Sequence, residues 1–243
     1  MRMAPSPLAL VTGAAHRLGK VFAVVLARQG YAVCVHYWNS QAQAEETARE
    51  LRALGVSVFL LRANLADADA IPQLFGRLDA FNHPLHVLVN SAGHFGGGSG
   101  RDLPLAEWDL TMDLNLRAPF LCAREAAARM ARGGLIVNIT DVGARKSWSR
   151  YPAYVASKAG LEALTRVLAR TYAPGIRVNA IAPGLILPSQ QTSESDWERL
   201  TARLPMKRPG TTEEVGAALE FLLHNAYVTG QTLVVDGGYS LVA

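Results

Sequence analysis

The sequence predicts an α/β protein, a doubly wound and mostly parallel sheet of seven strands with helices on both faces, and three observations carry that prediction. Short β-branched runs alternate with helical periods along the whole chain. The runs are apolar at successive positions, as strands covered on both faces are. The first run passes through the glycine-bearing turn "VTGAAHRLGK" directly into a helix.

In order, "LALVTG" (8–13) is the first strand. Leu18, Val21, Phe22, Val25 and Leu26 then fall on one helical face, and Gly30 closes that helix. "AVCVHY" (32–37) is the second strand, and Ser40 is placed to cap the helix after it. "VSVFLLRAN" (56–64) and "HVLVNSAG" (86–93) are the third and fourth strands, followed by "HFGGGSG" (94–100), a flexible loop. A helix over 109–131 carries Leu114, Leu116, Phe120 and Leu121, "LIVNIT" (135–140) is the fifth strand, and a helix over 152–172 is lined by Leu161, Leu164, Val167 and Leu168. Both helices are apolar nearly all round, which fits a subunit interface or deep packing within one chain. "RVNAIAPG" (177–184) is the sixth strand, Thr212 with Glu213 and Glu214 opens the last helix, and "TLVVDGG" (232–238) is the seventh strand. Neither linker nor tandem repeat interrupts the alternation, so residues 1–243 are expected to form one domain with right-handed crossovers.

Composition narrows the function classes. Of 243 residues, 50% are hydrophobic and 18% charged, an ordinary globular balance. The net charge of +4 is spread thinly, which argues against nucleic acid or a membrane surface as partner and is compatible with an anionic small ligand. Cys34 and Cys122 sit in apolar segments and suggest no disulfide framework. "MRMAPSPLALVTG" lacks a signal-peptide core and no run of eighteen apolar residues occurs, so a cytoplasmic protein is expected. No metal is expected, because the histidines of "HPLH" (83–86) span the start of a strand and no Cys/His cluster supports them. A hydrolase is disfavoured by the absence of a G-x-S-x-G elbow and of a histidine near Ser157.

In the first turn Gly13 permits the tight bend and Gly19 lets helix pack on strand, so that helix N-terminal amides face a pyrophosphate. His16, Arg17 and Leu18 lie between them. A fold of this kind that binds NAD places Asp or Glu at the end of the second strand. This chain has "HYWNS" (36–40) there, and Arg17, His36, Asn39 and Ser40 offer donors to a ribose 2′-phosphate instead. NADPH is therefore the expected cofactor, bound also by Tyr37, by Asn64 and Leu65 after the third strand, and by Asn90, Ala92 and Gly93 after the fourth.

Tyr154 and Lys158 stand one helical turn apart, about 6 Å along the axis. A free tyrosine titrates near about 10, and a neighbouring ammonium favours the phenolate and brings the group toward neutral pH. The pair sits just after the fifth strand, and Asp141 lies thirteen residues before the tyrosine.

The spaced motifs Thr-Gly with its downstream glycine, Asn-x-Ala-Gly, Tyr-x-x-x-Lys and "APG" resemble the short-chain dehydrogenase/reductase family over essentially the entire chain. The resemblance implies a Rossmann-type fold and hydride transfer from C4 of the nicotinamide. It implies Tyr154 as acid/base, Lys158 on the nicotinamide ribose, Asn115 at the proton-relay position, and Pro183 and Gly184 beside the nicotinamide. Most members carry serine where this chain has Asp141. An ionised carboxylate donates no hydrogen bond, repels a developing oxyanion and raises the tyrosine pKa, so an ordinary ketone reductase is disfavoured.

The pteridine reductase branch and the dihydromonapterin reductases resemble this chain in "TGAAHRLG", "GYAVCVHY" and the aspartate–tyrosine–lysine spacing. That resemblance implies reduction of a 7,8-dihydropterin at C6, with N5 taking a proton from Tyr154. Asp141 would accept hydrogen bonds from the pterin, Phe95 would stack on it, Arg17 would approach ligand and cofactor phosphates, and the protein would be a homotetramer. Residues 185–200 are expected to form a substrate-facing flap in which Trp197 packs rather than contacts ligand, while Ser147 and Trp148 either line the pocket or fill a loop. The alternatives are a carbonyl reductase acting on a ketone and a non-catalytic NADPH-binding sensor. Retention of both Tyr154 and Lys158 argues against the sensor.

Overall fold

The computed structural model describes residues 5–189 and 192–242. Gln190 and Gln191, inside the expected flap, lie outside the described residues. All seven strands are parallel and lie in one sheet of order β3-β2-β1-β4-β5-β6-β7. They are β1 (Leu8–Val11), β2 (Ala32–Tyr37), β3 (Val58–Arg62), β4 (Leu85–Asn90), β5 (Gly134–Ile139), β6 (Ile176–Pro183) and β7 (Thr232–Val235). Each overlaps its predicted run, with ends that differ by up to three residues. The differences fall mainly where strand gives way to the loop carrying ligand-facing residues.

Strand alternation sorts the core into two layers. Ala9 and Val11 of β1 point toward α1 (Arg17–Arg28), α2 (Gln41–Ala53) and α8 (Thr212–His224), where Phe22, Leu26, Leu51 and Leu219 are fully or nearly fully buried. Leu8 and Leu10 point the other way, toward α3 (Ala70–Asp79), α5 (Ala118–Ala127) and α6 (Pro152–Tyr172), onto Leu74, Phe75, Cys122 and Leu168. A strand buried on both faces must be apolar at every position, which is why no polar alternation marks these runs. Cys34 and Cys122 are free, buried thiols.

The helix expected over 109–131 is two helices. α4 (Leu105–Met112) passes through a π-helical turn, Asp113–Arg117, into α5. The wide turn places Asn115, which is fully buried, beneath the loop after β4. α8 is capped one residue earlier than expected: the Thr211 hydroxyl accepts from the Glu214 N–H at 3.3 Å, and the Glu214 carboxylate accepts from the Thr211 N–H at 2.8 Å. α7 (Glu194–Arg203) is a short helix that begins in the flap and runs three residues past it, capped by Ser193.

Connection direction reverses between β1 and β4, and the carboxyl ends of these strands splay open there. Thr12 pins the mouth of this crevice, its hydroxyl oxygen accepting from the Ser91 and Ala92 N–H groups at 2.9 and 3.0 Å. Gly19 enters α1 so close to the first turn that a Cβ there would sit 2.8 Å from the Gly13 carbonyl carbon and overlap its oxygen. Gly19→Ala is expected to cost roughly 1–3 kcal/mol of stability, read as a lower urea midpoint, because backbone and not a flexible side chain must yield. An unchanged midpoint would show that α1 does not need this approach.

Candidate active site

A cleft of about 430 Å³ runs along the crevice and is lined by Gly13, His16, Arg17, Leu18, Gly19, Tyr37, Trp38, Asn39, Ser40, Asn64, Leu65, Ala92, Gly93, Pro183 and Gly184. Gly13 adopts φ +64°, and a Cβ on it would lie 2.8 Å from the Ala92 Cα, so only glycine fits the bend. The absence of acid after β2, the bare backbone at Gly13 and a lining drawn from the ends of β1, β2, β3, β4 and β6 fit a phosphorylated dinucleotide.

Four expectations about this cleft are corrected. His36 is no phosphate donor. It is buried, its Nδ1 accepts from the Gly13 N–H at 3.1 Å, and its Nε2 therefore carries the hydrogen donated to the Ala63 carbonyl at 3.1 Å. Burial pushes its pKa down to about 4, so the ring stays neutral and acts as a strut behind the turn. Arg17, at φ +53°, turns its guanidinium to the Leu187 and Pro188 carbonyls at 3.2 and 3.1 Å, tethering the flap instead of facing a phosphate. Asn90 lies behind the cleft, where its amide donates to Asn138 Oδ1 at 2.9 Å and to the Pro119 carbonyl at 3.3 Å. Ser40 occupies the cap position of α2 yet makes no capping hydrogen bond. Asn64 keeps a place on the cleft, but its Oδ1 accepts from the Ala66 N–H at 3.2 Å in a local turn.

At the inner end of the cleft β5 delivers Asp141 to the start of a 3-10 turn, Val142–Arg145, where one carboxylate oxygen accepts from the Gly143 N–H at 2.6 Å. The other oxygen accepts from the Tyr154 hydroxyl at 2.8 Å. Lys158 is buried, donates to the Ile139 carbonyl at 2.8 Å and lies 5.7 Å from the centre of the Tyr154 ring. Desolvation raises the Asp141 pKa against the lowering effect of its hydrogen bonds and of Lys158. The Tyr154 pKa is raised well above 10, first by burial and then by the Asp141 charge. The expected lowering by the lysine is thus overturned here: the ammonium serves a backbone carbonyl, and the carboxylate holds the phenol proton. Burial pushes Lys158 itself down to about 8. Asn115 does not line the cleft. Its side chain brackets His94, accepting from the N–H at 2.7 Å and donating to the carbonyl at 2.9 Å.

Past Tyr154 the cleft opens into a second cavity of about 830 Å³, and the two share Arg17, Phe95, Asp141, Tyr154, Gly184 and Leu187. Phe95 stacks on Tyr151 with centroids 4.6 Å apart and meets Tyr154 edge-on at 4.7 Å. Ser147 and Trp148 line this cavity, and so does Trp197 of α7, against the expectation that it only packs. Tyr151 and Tyr239, which no sequence motif marks, complete an aromatic wall. The loop 94–100 is not simply slack. His94 pairs with Glu107 at 2.6 Å, the Gly98 N–H donates to the Arg150 carbonyl at 2.9 Å, and a Cβ on Gly97 would touch the Tyr151 ring at 3.3 Å. Gly96, Gly97 and Gly98 are places of close approach, whereas Gly100 has open space around it.

Among the described residues no three His, Cys, Asp or Glu side chains converge as metal ligands, and no helix is long and apolar enough to cross a membrane. Of the histidines near β4, His83 donates to the Ser6 carbonyl at 2.7 Å while His86 stacks on Tyr31.

The family described as enoyl-(acyl carrier protein) reductase matches residues 13–240. A 3-oxoacyl-(acyl-carrier-protein) reductase FabG of Staphylococcus aureus is 37% identical over 98% of this chain and 99% of its own length. Among solved structures, the FolM alternative dihydrofolate reductase 1 of Brucella canis, complexed with NADP, superposes with a TM-score of 0.93 at 33% identity, covering 100% of this chain and 97% of that one. A blue fluorescent protein from a metagenomic library, in complex with NADPH, superposes at 0.90 with 32% identity over 97% of this chain and 98% of that one.

Proposed function

The chain belongs to the short-chain dehydrogenase/reductase family, and from that premise we propose that it is an NADPH-dependent reductase of a dihydropterin, forming the tetrahydro product. The observation that carries the reading is Asp141, a carboxylate 2.8 Å from the Tyr154 hydroxyl where the two cavities meet. An acceptor in that place suits a nitrogen heterocycle that presents N–H groups and needs a proton on nitrogen.

NADPH, when bound, supplies the hydride. Gly13, Gly19, Asn39, Ser40, Asn64, Leu65, Ala92, Gly93, Pro183 and Gly184 are the residues that would hold it, with Lys158 at the nicotinamide ribose. The chain itself positions the pterin and moves the proton. Asp141 accepts from the pterin N–H groups, Phe95 flanks the ring, and Tyr154 releases its proton to N5 once substrate draws the carboxylate away from the phenol. The raised phenol pKa makes Tyr154 a donor that stays loaded at neutral pH. The reading takes residues 1–243 as one catalytic domain in the cytoplasm. It takes the assembly as a homotetramer, supported by Trp108, Leu110, Phe120 and Val167, which stand exposed on α4, α5 and α6.

A carbonyl reductase of the 3-oxoacyl type is the second reading. It is favoured by the likeness to FabG and by the desolvation of Asp141, since a protonated carboxyl can donate to a carbonyl oxygen as serine does. The experiment is NADPH oxidation, followed by nicotinamide absorbance, with dihydromonapterin, dihydrobiopterin, dihydrofolate and a set of ketones including a 3-oxoacyl thioester. We expect turnover of pterins, and a loss of about 10–100-fold in Asp141→Ser, the size of a lost charge-assisted hydrogen bond. Turnover of ketones alone, or improvement by serine, would establish the second reading.

A further inference from the structure

Resting on the NADPH reading above, we propose that Arg62, held against Trp38, is the cation that binds the 2′-phosphate of the cofactor. The segment after β2 lacks the acid that would select an unphosphorylated ribose, yet His36, Arg17 and Lys20 are otherwise engaged. His36 is neutral and buried. Arg17 is turned to the flap carbonyls, and Lys20 is paired with Glu50 at 2.7 Å. Asn39 and Ser40 are neutral, and polar neutral donors alone compensate a phosphate dianion poorly.

Arg62 is the last residue of β3, in register beside Tyr37 of β2, so its backbone stands at the level where β2 ends. Its Nε donates to the Trp38 carbonyl at 3.1 Å, and its guanidinium carbon lies 4.7 Å from the centre of the Trp38 ring. Trp38 lines the cleft beside Asn39 and Ser40 and keeps 43% of its surface exposed. Among the described residues no carboxylate pairs with Arg62, and its two Nη groups make no hydrogen bond. An ordinary surface arginine samples many rotamers. This one has its plane fixed from two sides, by a backbone carbonyl and by an indole face, while its two outer N–H edges stay open. A planar fork that is already oriented loses less freedom per bond on meeting a phosphate, and it contributes charge as well as geometry.

The test is calorimetric binding, independent of turnover. NADPH, NADH, adenosine 2′,5′-bisphosphate and adenosine 5′-monophosphate are titrated into wild type, Arg62→Gln, Arg62→Lys and Trp38→Leu. We expect Arg62→Gln to weaken the two 2′-phosphorylated ligands by about tenfold or more, and the other two by less than about twofold. Arg62→Lys retains charge without the fork and should fall between, while Trp38→Leu should weaken the 2′-phosphorylated pair selectively but less. Equal weakening of all four ligands would mean that Arg62 only supports the fold, and no weakening would mean that it faces solvent. Either result overturns the proposal. Were wild type to bind none of the four ligands, the NADPH reading would fail and the anchor with it, an outcome distinct from a failure of Arg62 alone.

Discussion

Tyr154→Phe is expected to lower kcat by roughly 10²–10⁴, the usual worth of a positioned proton donor, while NADPH affinity stays nearly unchanged. The ring keeps its packing against Phe95 at 4.7 Å and its place beside Lys158, so only the hydroxyl is lost. Its loss has a second consequence. The Tyr154 hydroxyl is one of the groups lowering the Asp141 pKa against desolvation, so its removal lifts that pKa further. A carboxyl raised above its unfolded value binds more protons in the folded state, so its contribution to stability falls as pH rises through the interval between the two values. Tyr154→Phe should widen that interval upward. Retention of a tenth or more of the activity would mean that the proton reaches the substrate from Asp141 or from water, and the role assigned to the phenol would be lost.

The order and type of the strands were legible because the central ones are covered on both faces and run almost wholly apolar, as Leu8, Ala9, Leu10 and Val11 do. The division of residues 109–131 was not. A π turn adds one residue to a helical period without altering its composition, and Asp113–Arg117 reads as ordinary helix. At the site, Asp141, Tyr154 and Lys158 were legible from spacing, since two lie a turn apart on α6 and the third follows β5 by two residues. Their electrostatics were not, because the Lys158 ammonium spends itself on a carbonyl, that of Ile139, which no motif marks. His36 was misread for the same reason. Its partners are the Gly13 N–H and the Ala63 carbonyl, main-chain groups brought together from the segments that follow β1 and β3. Side-chain type says what a residue can donate, but only the fold says where the competing backbone atoms stand. The pairing of Arg62 with Trp38 likewise depends on the register of β3 against β2.

Lys158→Met should separate what this residue does for the reaction from what it costs the fold. Burial lowers its pKa from 10.5 to about 8, so the folded state carries the charge reluctantly. A displacement of that size corresponds to roughly 3 kcal/mol at neutral pH. Methionine removes that penalty, but it also removes the donor to the Ile139 carbonyl, a loss of about 1–3 kcal/mol, and the charge that lowers the Asp141 pKa. These effects nearly offset one another, so stability at a single pH decides little, and the pH slope is the sharper readout. Between about 8 and 10.5 the unfolded chain holds the lysine proton and the folded chain has released it, so wild-type stability from this group rises with pH across that window. In Lys158→Met that rise should be absent from urea midpoints taken at pH about 7 and about 10. On the proposed reading turnover at neutral pH should fall by roughly 10²–10⁴, because Tyr154 and Asp141 lose the cation buried beside them. Equal slopes in the two proteins would place the ammonium in contact with water and remove the basis for a penalty. A lost slope with activity intact would leave Lys158 a buried structural charge and move the search for the proton path to Asp141.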